Sequence, residues 1–190
     1  MKETYSDAEL AALLKKPDIR KATFAEYRDW VIINFLLNCG SRAATVRAIQ
    51  IRDVDLDGGM VFYRHTKNRK AQVIPLCSAM VAILREYLRH RGGEAADYLF
   101  CTETGSQLTE NGLRQSIARY NTRRGVQKTS IHLFRHTFAR KYLVEKFAPA
   151  RVVCGFNFRF GKNAAWTAAD LCHFAKQNGV ECSVVHEKTI

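Results

Sequence analysis

The stretch Ser130-Ile-His-Leu-Phe-Arg-His-Thr-Phe-Ala-Arg-Lys-Tyr142 carries the strongest pattern in the chain. It contains no Gly or Pro, and its apolar side chains recur at helical spacing, so it predicts a helix with Ser130 as the N-cap. His132 and Arg135 are three residues apart, which places both on one face of that helix. A guanidinium can bind two phosphate oxygens, and a neighbouring imidazole can donate a proton, so this face suits a phosphate. The alternative is an exposed basic helix with one core histidine.

The chain carries a large and uneven positive charge. Thirty Lys and Arg residues stand against 18 Asp and Glu, for a net charge of +12 and a pI near 9.7. Residues 111–146 hold nine basic residues and one acid, and residues 63–70 hold four basic residues and no acid. Because two concentrated patches favour phosphate contacts over a role in solubility alone, we expect a nucleic-acid partner. A basic interaction module without a role on DNA is the other possibility.

Length and composition predict a globular chain. The 190 residues, 47% of them apolar, are enough for a sizeable core. No apolar signal segment opens the chain, and no apolar run approaches the roughly 18 residues of a membrane span, so we expect a cytoplasmic protein without a membrane partner. Six scattered Cys residues without a C-x-x-C pair predict separate, reduced thiols.

Local signals predict a mainly α-helical fold with a small antiparallel β-sheet (α+β). Capping boxes at residues 6–9 and 23–26 open two helices, and the second should form the centre of the core. Gly40 ends that helix because it can adopt a positive φ, and Ser41 is the predicted N-cap of a short third helix. Further helices are predicted to begin at Ser78 and after Thr109.

Two short runs, residues 59–63 and 72–76, are rich in β-branched and aromatic residues. A polar, basic segment lies between them, so they predict an antiparallel hairpin with a basic tip. The tip includes Lys67.

Residues 147–190 differ in kind from residues 1–146, and we treat the two ranges as separate domains. Residues 147–161 show no helical period, whereas residues 163–177 favour a helix. Cysteines and histidines in this segment could supply zinc ligands, but only Cys182-x-x-x-His186 has a close-pair spacing. Buried thiols are therefore favoured over a metal site.

Four side chains that are far apart in sequence suit one site, namely Arg42, Lys67, His132 and Arg135. Brought together, two guanidiniums, an ammonium and an imidazole would stabilise a phosphodiester oxyanion without a metal ion. The sequence contains no cluster of acidic residues of the kind that a two-metal nuclease would need.

The motifs that carry these residues follow one another in a set order. Residues 36–46 contain Arg42 in an arginine box, residues 65–76 place Lys67 on a hairpin that ends in Pro-Leu, and residues 132–138 read His-Leu-Phe-Arg-His-Thr-Phe. This order and spacing resemble the catalytic domain of the tyrosine recombinase (phage integrase) family over roughly residues 5–146. Thr45 stands where that family usually has Glu, which is a supporting position.

The resemblance implies a mechanism. A tyrosine attacks a scissile DNA phosphate and forms a 3′-phosphotyrosyl link, while Arg42 and Arg135 hold the non-bridging oxygens. Lys67 protonates the departing 5′ oxygen and His132 assists proton transfer. Because the covalent link conserves the phosphodiester energy, no metal, ATP or other cofactor is needed.

The resemblance also implies double-stranded DNA as the partner and a homo-oligomer assembled on it. Basic side chains of the two charged patches are expected to contact DNA, namely Arg64, Arg69, Lys70, Arg123 and Arg124. The family's N-terminal core-binding domain, which usually completes the clamp around DNA, is not represented, so binding should be weaker and mainly electrostatic.

The chain departs from the family pattern after residue 146. A Leu-Gly-His box and a nucleophilic Tyr should follow Arg135, but no Leu-Gly-His occurs, Thr167 stands near the expected Tyr, and no Tyr follows Tyr142. A neighbouring copy cannot donate a residue that no copy has. We expect that truncation, frameshift or recombination removed the usual C-terminus. The function is then either a recombinase that is active in a fuller form or a non-catalytic DNA-binding remnant or regulator, and we expect DNA binding without a covalent adduct.

Overall fold

The computed structural model describes residues 3–64, 71–141, 150–160, 166–177 and 179–186. The chain forms two compact units, Met1–Ala139 and Arg140–Ile190. The predicted boundary between residues 146 and 147 lies outside the described residues and stays a prediction. Within the described ranges, no helix combines the length and the apolar character needed to cross a bilayer.

The first unit is mainly helical with a small antiparallel sheet, which confirms the predicted fold class. Its elements in order are α1 (Asp7–Leu14), α2 (Phe24–Cys39), α3 (Ala43–Ala48), a 3-10 turn (Ile51–Asp53), β1 (Val54–Asp55), β2 (Met60–Tyr63), β3 (Gln72–Pro75), α4 (Ser78–Arg91), α5 (Glu110–Arg123) and α6 (His132–Thr137).

Helix α2 is the centre of the core, as its apolar sequence predicts. Helices α1, α4, α5 and α6 all pack against it. The Thr23 hydroxyl accepts a hydrogen bond from the Glu26 N–H (3.2 Å) and caps its first turn. Gly40 ends the helix with φ 58° and donates its N–H to the Leu36 carbonyl (2.9 Å).

Helix α1 is fixed to α2 by a buried tryptophan. Trp30 on α2 donates its indole N–H to the carbonyl of Leu14, the last residue of α1 (3.0 Å). At the other end of α1, Ser6 and Glu9 form the predicted capping box: the Ser6 hydroxyl accepts the Glu9 N–H (3.2 Å), and the Glu9 carboxylate accepts the Ser6 N–H (2.7 Å). Lys128 donates to the same carboxylate (2.9 Å).

A buried ion pair joins α2 to α5. Arg28 lies 2.7 Å from the Asp29 carboxylate, and both side chains are only 4% exposed. Arg28 also donates to the Ser116 hydroxyl (2.8 Å) and the Cys101 carbonyl (2.9 Å), and Ser116 donates to Asp29. Every polar atom of this pair thereby gains a partner, which offsets the cost of removing two charges from water.

The sheet of the first unit contains the predicted hairpin and one further strand. Strands β2 and β3 pair antiparallel with Val61 opposite Ile74, and β1 adds to the free edge of β2 with Val54 opposite Val61. The hairpin tip, residues 65–70, lies outside the described residues.

The second unit has an α/β arrangement that sequence reasoning did not predict. Its elements are β4 (Arg151–Gly155), β5 (Arg159–Phe160), β6 (Trp166–Thr167), α7 (Ala168–Gln177) and β7 (Glu181–Val185). Strands β4 and β7 pair in parallel with α7 between them in sequence, and β5 pairs antiparallel with β6. The helix predicted over residues 163–177 is confirmed for residues 168–177.

The prediction of separate, reduced thiols is wrong for two of the six cysteines. Cys172 on α7 and Cys182 on β7 form a disulfide with a Cα–Cα distance of 5.0 Å. Helix α7 packs against β7, so two residues ten positions apart in sequence lie side by side. The other four cysteines are free.

Candidate active site

Helix α6, which carries two of the predicted site residues, is shorter than predicted and is not capped by Ser130. Ile131 is already in the helical region (φ −59°, ψ −26°), and no side chain caps the helix. The Ser130 carbonyl instead accepts the Leu133 N–H (3.0 Å), so the chain enters α6 through a turn. Residues 138–141 continue as a π-helical turn, and Tyr142 lies outside the described residues.

The inner face of α6 is anchored by Tyr5. Phe134 and Thr137 are both fully buried on this face. The Tyr5 ring lies 4.7 Å from the Phe134 ring, and the Tyr5 backbone N–H donates to the Thr137 hydroxyl (3.0 Å). Asn121 on α5 donates to the Tyr5 hydroxyl (2.9 Å), so the segment before α1 is held between α5 and α6. With this face fixed, the opposite face of α6 is positioned as well.

The opposite face of α6 presents His132 and Arg135. Both residues are exposed, and they stand one helical turn apart as the spacing predicts.

Arg135 reaches the end of α2. Its guanidinium donates a hydrogen bond to the Gly40 carbonyl. A Cβ atom at Gly40 would lie 2.3 Å from Cδ1 of Phe138, and Gly40 has φ 58°. Glycine is therefore required there twice, for the backbone conformation that ends α2 and for the close approach of the residue that follows α6.

Arg42 and Arg135 lie close enough to repel each other. Although the residue as a whole is exposed, its guanidinium is partly buried where it meets Gly40; this burial lowers the pKa of Arg135 below its usual value, and the positive charge of Arg42 lowers it further. Arg42 is exposed at the N-cap position of α3. Because like charges at close range are destabilising, an anion placed between the two guanidiniums would relieve the repulsion and bind to both.

Ser41 does not cap α3, contrary to the prediction. Arg42 occupies the N-cap position, without a capping side-chain bond, and the Ser41 hydroxyl is hydrogen-bonded to the Tyr63 hydroxyl instead. Burial raises the pKa of Tyr63, while the positive charge of Arg135 acts to lower it. The last residue of β2 is therefore near Arg135.

The hairpin that contains Lys67 leaves the sheet from this end of β2. Lys67 is four residues beyond Tyr63, and it lies outside the described residues together with Arg69 and Lys70. Thus the structure brings Arg42 and Arg135 together, places His132 on the same helix as Arg135, and leaves the position of Lys67 as a prediction.

The other arginines predicted to contact DNA have different surroundings. Arg64 forms an ion pair with the buried carboxylate of Asp53. Arg124 donates to the Lys15 carbonyl (3.0 Å) and lies 3.4 Å from the Glu26 carboxylate, whereas Arg123 is exposed at the end of α5. The side chains of Arg64 and Arg124 thus bind acceptors within the protein, and their contacts with DNA stay predictions.

The buried tyrosine hydroxyls and the Cys39 thiol of the first unit are poor nucleophiles. Five tyrosines in the described ranges are buried, and burial is the main reason that the pKa of each is raised: Tyr5, Tyr27, Tyr63, Tyr87 and Tyr120. Burial also raises the pKa of the Cys39 thiol, at the end of α2, to about 12. These tyrosine hydroxyls and the Cys39 thiol are therefore protonated near neutral pH. Only their deprotonated forms would attack a phosphate well.

Comparison with known proteins gives two matches to family models. Residues 5–155 match the model described as "Phage integrase family", and residues 124–190 match the model described as "FAD synthetase". The first match covers well over half of the chain, and the second covers about a third.

Individual relatives agree with the first match. The tyrosine recombinase XerD of Staphylococcus haemolyticus (strain JCSC1435) is 32% identical over 151 residues, which are 76% of this chain and 50% of that protein. The crystal structure of XerA recombinase superposes with a TM-score of 0.65 at 24% identity, over 76% of this chain and 50% of that one. The structure of XerH site-specific recombinase bound to difH substrate, a pre-cleavage complex, superposes with a TM-score of 0.62 at 23% identity, over 79% of this chain and 45% of that one.

These comparisons fit the geometry of the first unit. The solved structures show the same fold, and the chain spans about half the length of the relatives that it matches. With its two arginine motifs in contact through Gly40 and Arg135, and with residues 5–155 matching the family model, the chain belongs to the phage integrase family.

Proposed function

We propose that this chain binds the DNA phosphodiester backbone as the catalytic domain of a tyrosine recombinase does, and that its 190 residues do not cut DNA alone. The observation that carries the proposal is the hydrogen bond from the Arg135 guanidinium to the carbonyl of Gly40, two residues before Arg42, which brings the two arginine motifs together. The charge of Arg42 also lowers the pKa of Arg135, so the two guanidiniums are near enough to bind one anion. Double-stranded DNA is the polyanion that this family membership and the net charge of +12 favour.

In this proposal each site residue has one role. Arg42 and Arg135 hold the non-bridging oxygens of one phosphate, and the hydrogen bond to Gly40 fixes the direction from which Arg135 approaches. Lys67 would protonate a departing 5′ oxygen from the hairpin beside Tyr63. His132, exposed one turn before Arg135, would assist proton transfer.

Cleavage requires a nucleophile, whereas phosphate binding does not. No Tyr follows Tyr142 in these 190 residues, and burial raises the pKa of five of the six tyrosines in the described ranges. A phosphotyrosyl link would therefore require a tyrosine from another chain or from residues beyond these 190. Alone, the chain should occupy DNA without becoming attached to it, as a non-catalytic DNA-binding protein or regulator does.

One experiment distinguishes binding from cleavage. The chain is incubated with a nicked suicide duplex, and samples are compared by native and denaturing electrophoresis. We expect a salt-sensitive shift in the native gel and no protein–DNA adduct in the denaturing gel. An adduct would show that the chain cuts DNA, and the absence of any shift at low salt would refute DNA binding.

A matched pair of variants tests the site itself. Arg135→Gln removes a charge at the proposed phosphate site, whereas Arg20→Gln removes one from an exposed loop. We expect Arg135→Gln to weaken DNA binding about tenfold or more, since hydrogen bonds to charged groups contribute about 1.5–3 kcal/mol. Arg20→Gln should have a much smaller effect. Equal losses would mean that binding depends on net charge rather than on this site.

The second unit favours a separate candidate function, the binding of a flavin nucleotide. Its support is the match of residues 124–190 to the FAD synthetase model, together with the parallel β4–α7–β7 arrangement. Ligands of open α/β sheets bind beyond the carboxyl ends of parallel strands, here near Gly155 and Val185. Titrating FAD with the chain and following flavin fluorescence tests this candidate: saturable quenching supports it, and unchanged fluorescence excludes it.

A further inference from the structure

Three cysteines of the second unit form a compact group of sulfur atoms. Cys154 lies on β4, Cys172 on α7 and Cys182 on β7, and their Sγ atoms all lie within 4.8 Å of one another. Cys172 and Cys182 form the disulfide, whereas Cys154 is a free thiol and is only 7% exposed. We call these three residues the cysteine cluster. It connects all three elements of the β–α–β arrangement.

Among its described residues, the second unit has a small apolar core. In its described ranges the buried apolar residues are few and small, namely Cys154, Ala168, Ala175 and Val180. Larger apolar side chains are exposed, with Val153 at 60%, Phe156 at 47% and Val185 at 57%. Small units with so thin a core usually depend on a disulfide or a bound metal for stability. The cysteine cluster can supply either one.

We propose that, when the disulfide is reduced, the cysteine cluster binds one thiophilic metal ion of the Zn²⁺ class. Thiolates are the ligands that select such ions. Zinc–sulfur bonds of about 2.3 Å in a tetrahedral site place sulfur atoms roughly 3.8 Å apart. The Cys154 sulfur lies within 4.8 Å of the other two and would move inwards, whereas the Cys172 and Cys182 sulfurs would move apart once their bond is broken; shifts of about an ångström for each atom are enough. Three protein ligands leave the fourth position for water.

Cys172 and Cys182 cannot form the disulfide and bind zinc at the same time. Reduction by a dithiol transfers two electrons and two protons to the Cys172–Cys182 disulfide, and the dithiol becomes a disulfide. Zinc then displaces the protons of the three thiols, because only thiolates bind it. In the oxidised chain Cys154 is the single remaining thiol of the cluster, which cannot hold zinc tightly. The redox state therefore decides whether a disulfide or a metal joins α7 to β7.

Native mass spectrometry of the full chain tests the proposal without any variant. One sample is reduced with dithiothreitol under anaerobic conditions and another is oxidised with diamide. Each is then stripped with a chelator, given Zn²⁺ and desalted. We expect one zinc ion on the reduced chain and none on the oxidised chain. No retained zinc after reduction, or equal retention in both samples, would overturn the proposal.

Two serine variants assign the ligands. Cys154→Ser removes one proposed ligand but leaves the disulfide pair intact, whereas Cys77→Ser changes an exposed thiol of the first unit. Competition with a chromophoric chelator should show at least a tenfold loss of zinc affinity for Cys154→Ser and none for Cys77→Ser. Unchanged affinity in Cys154→Ser would overturn the proposal and leave thiol–disulfide exchange as the chemistry of the cluster.

A second measurement covers the case in which Cys154→Ser fails to fold. Co²⁺ bound to the reduced wild-type chain should show intense thiolate-to-cobalt charge-transfer absorption in the near ultraviolet, scaled to three thiolates. Absence of this absorption would also overturn the proposal.

Discussion

The guanidinium of Arg135 donates a hydrogen bond to the backbone carbonyl of Gly40, so helix α6 is joined to the end of helix α2. The two arginine motifs thereby meet through a backbone atom, and the geometry of the site depends on how closely α6 can approach Gly40. Phe138 contributes to the same approach, because its ring lies against the face of Gly40 that a side chain would occupy.

Replacing Gly40 by Ala should destabilise the protein strongly. A residue at φ 58° with a Cβ costs about 1–2 kcal/mol, and the overlap with Phe138 adds roughly 1–3 kcal/mol. Urea unfolding of Gly40→Ala should therefore show a loss of about 2–5 kcal/mol. Gly125→Ala is the control, since Gly125 has φ 75° but open space around it, so only the backbone cost of about 1–2 kcal/mol applies. Equal losses of unfolding free energy in both variants would mean that the Phe138 ring moves aside without a cost in stability.

Tyr5 should contribute to stability mainly through its ring. Tyr5→Ala removes a fully buried ring that packs on Phe134 and should cost about 3–5 kcal/mol. Tyr5→Phe keeps the ring and loses the hydroxyl contacts to Asn121 and Lys128, so about 1 kcal/mol is expected. Unfolding in urea measures both values. A cost for Tyr5→Phe as large as that for Tyr5→Ala would contradict the role assigned to the ring.

The buried pair of Arg28 and Asp29 should be costly to break. Asp29→Asn leaves the charge of Arg28 buried without its partner, and a loss of about 3–5 kcal/mol is expected. Asp57→Asn is the matched control, because Asp57 is almost fully exposed and pairs with Arg85 at 3.0 Å. Exposed pairs contribute about 0–1 kcal/mol. Thermal or urea unfolding of the two variants should differ accordingly, and similar losses would show that water reaches the Arg28 pair.

Glu9 should make stability depend on pH in the acidic range. Its pKa is lowered from 4.5, first by the Ser6 N–H and also by Lys128, so the folded state favours the carboxylate. The stabilisation is therefore complete well above pH 4.5 and is lost as the pH falls through the folded pKa. Because Glu9 is partly exposed, we expect less than about 1 kcal/mol.

Comparing wild type with Glu9→Gln in urea at several pH values measures this contribution. The wild type should be more stable at pH 7, and the difference should shrink towards pH 3. Glu103→Gln, in an exposed turn, is the control for the loss of one negative charge. A difference that does not change with pH would assign the effect to the side-chain amide rather than to ionisation.

Signals that act within a few residues predicted the first unit well. The Ser6 and Thr23 caps, the left-handed Gly40 and the pairing of β2 with β3 each depend on local backbone chemistry, and each is confirmed. Two predicted caps are wrong, one for a tertiary reason and one for a local reason. Ser41 is used by Tyr63, a residue 22 positions away, and Ser130 precedes a turn that makes a side-chain cap unnecessary.

The sequence predicts which residue types form the site, but it does not predict the contacts that hold those residues in place. Alternation along β2 could have indicated that Tyr63 points inwards with Val61, since residues two apart share a face. Nothing local indicates that Arg135 binds the Gly40 carbonyl or that Tyr5 holds α6, because those contacts join segments about 95 and 130 residues apart.

Truncation, frameshift and recombination are the predicted causes of the departure from the family pattern after residue 146, and the coding DNA tests this prediction. An intact Leu-Gly-His box in another reading frame after the Arg135 codon would support it, and the absence of such a box would weaken it.

The indole of Trp30 that joins α2 to Leu14 has a practical consequence. The chain has two tryptophans, and the other, Trp166, belongs to β6 of the second unit. Replacing Trp166 by Phe would leave Trp30 as the single tryptophan, whose emission reports when α1 detaches from α2. Replacing Trp30 by Phe would leave the emission of the second unit alone, so the melting of each unit can be recorded separately in the intact chain.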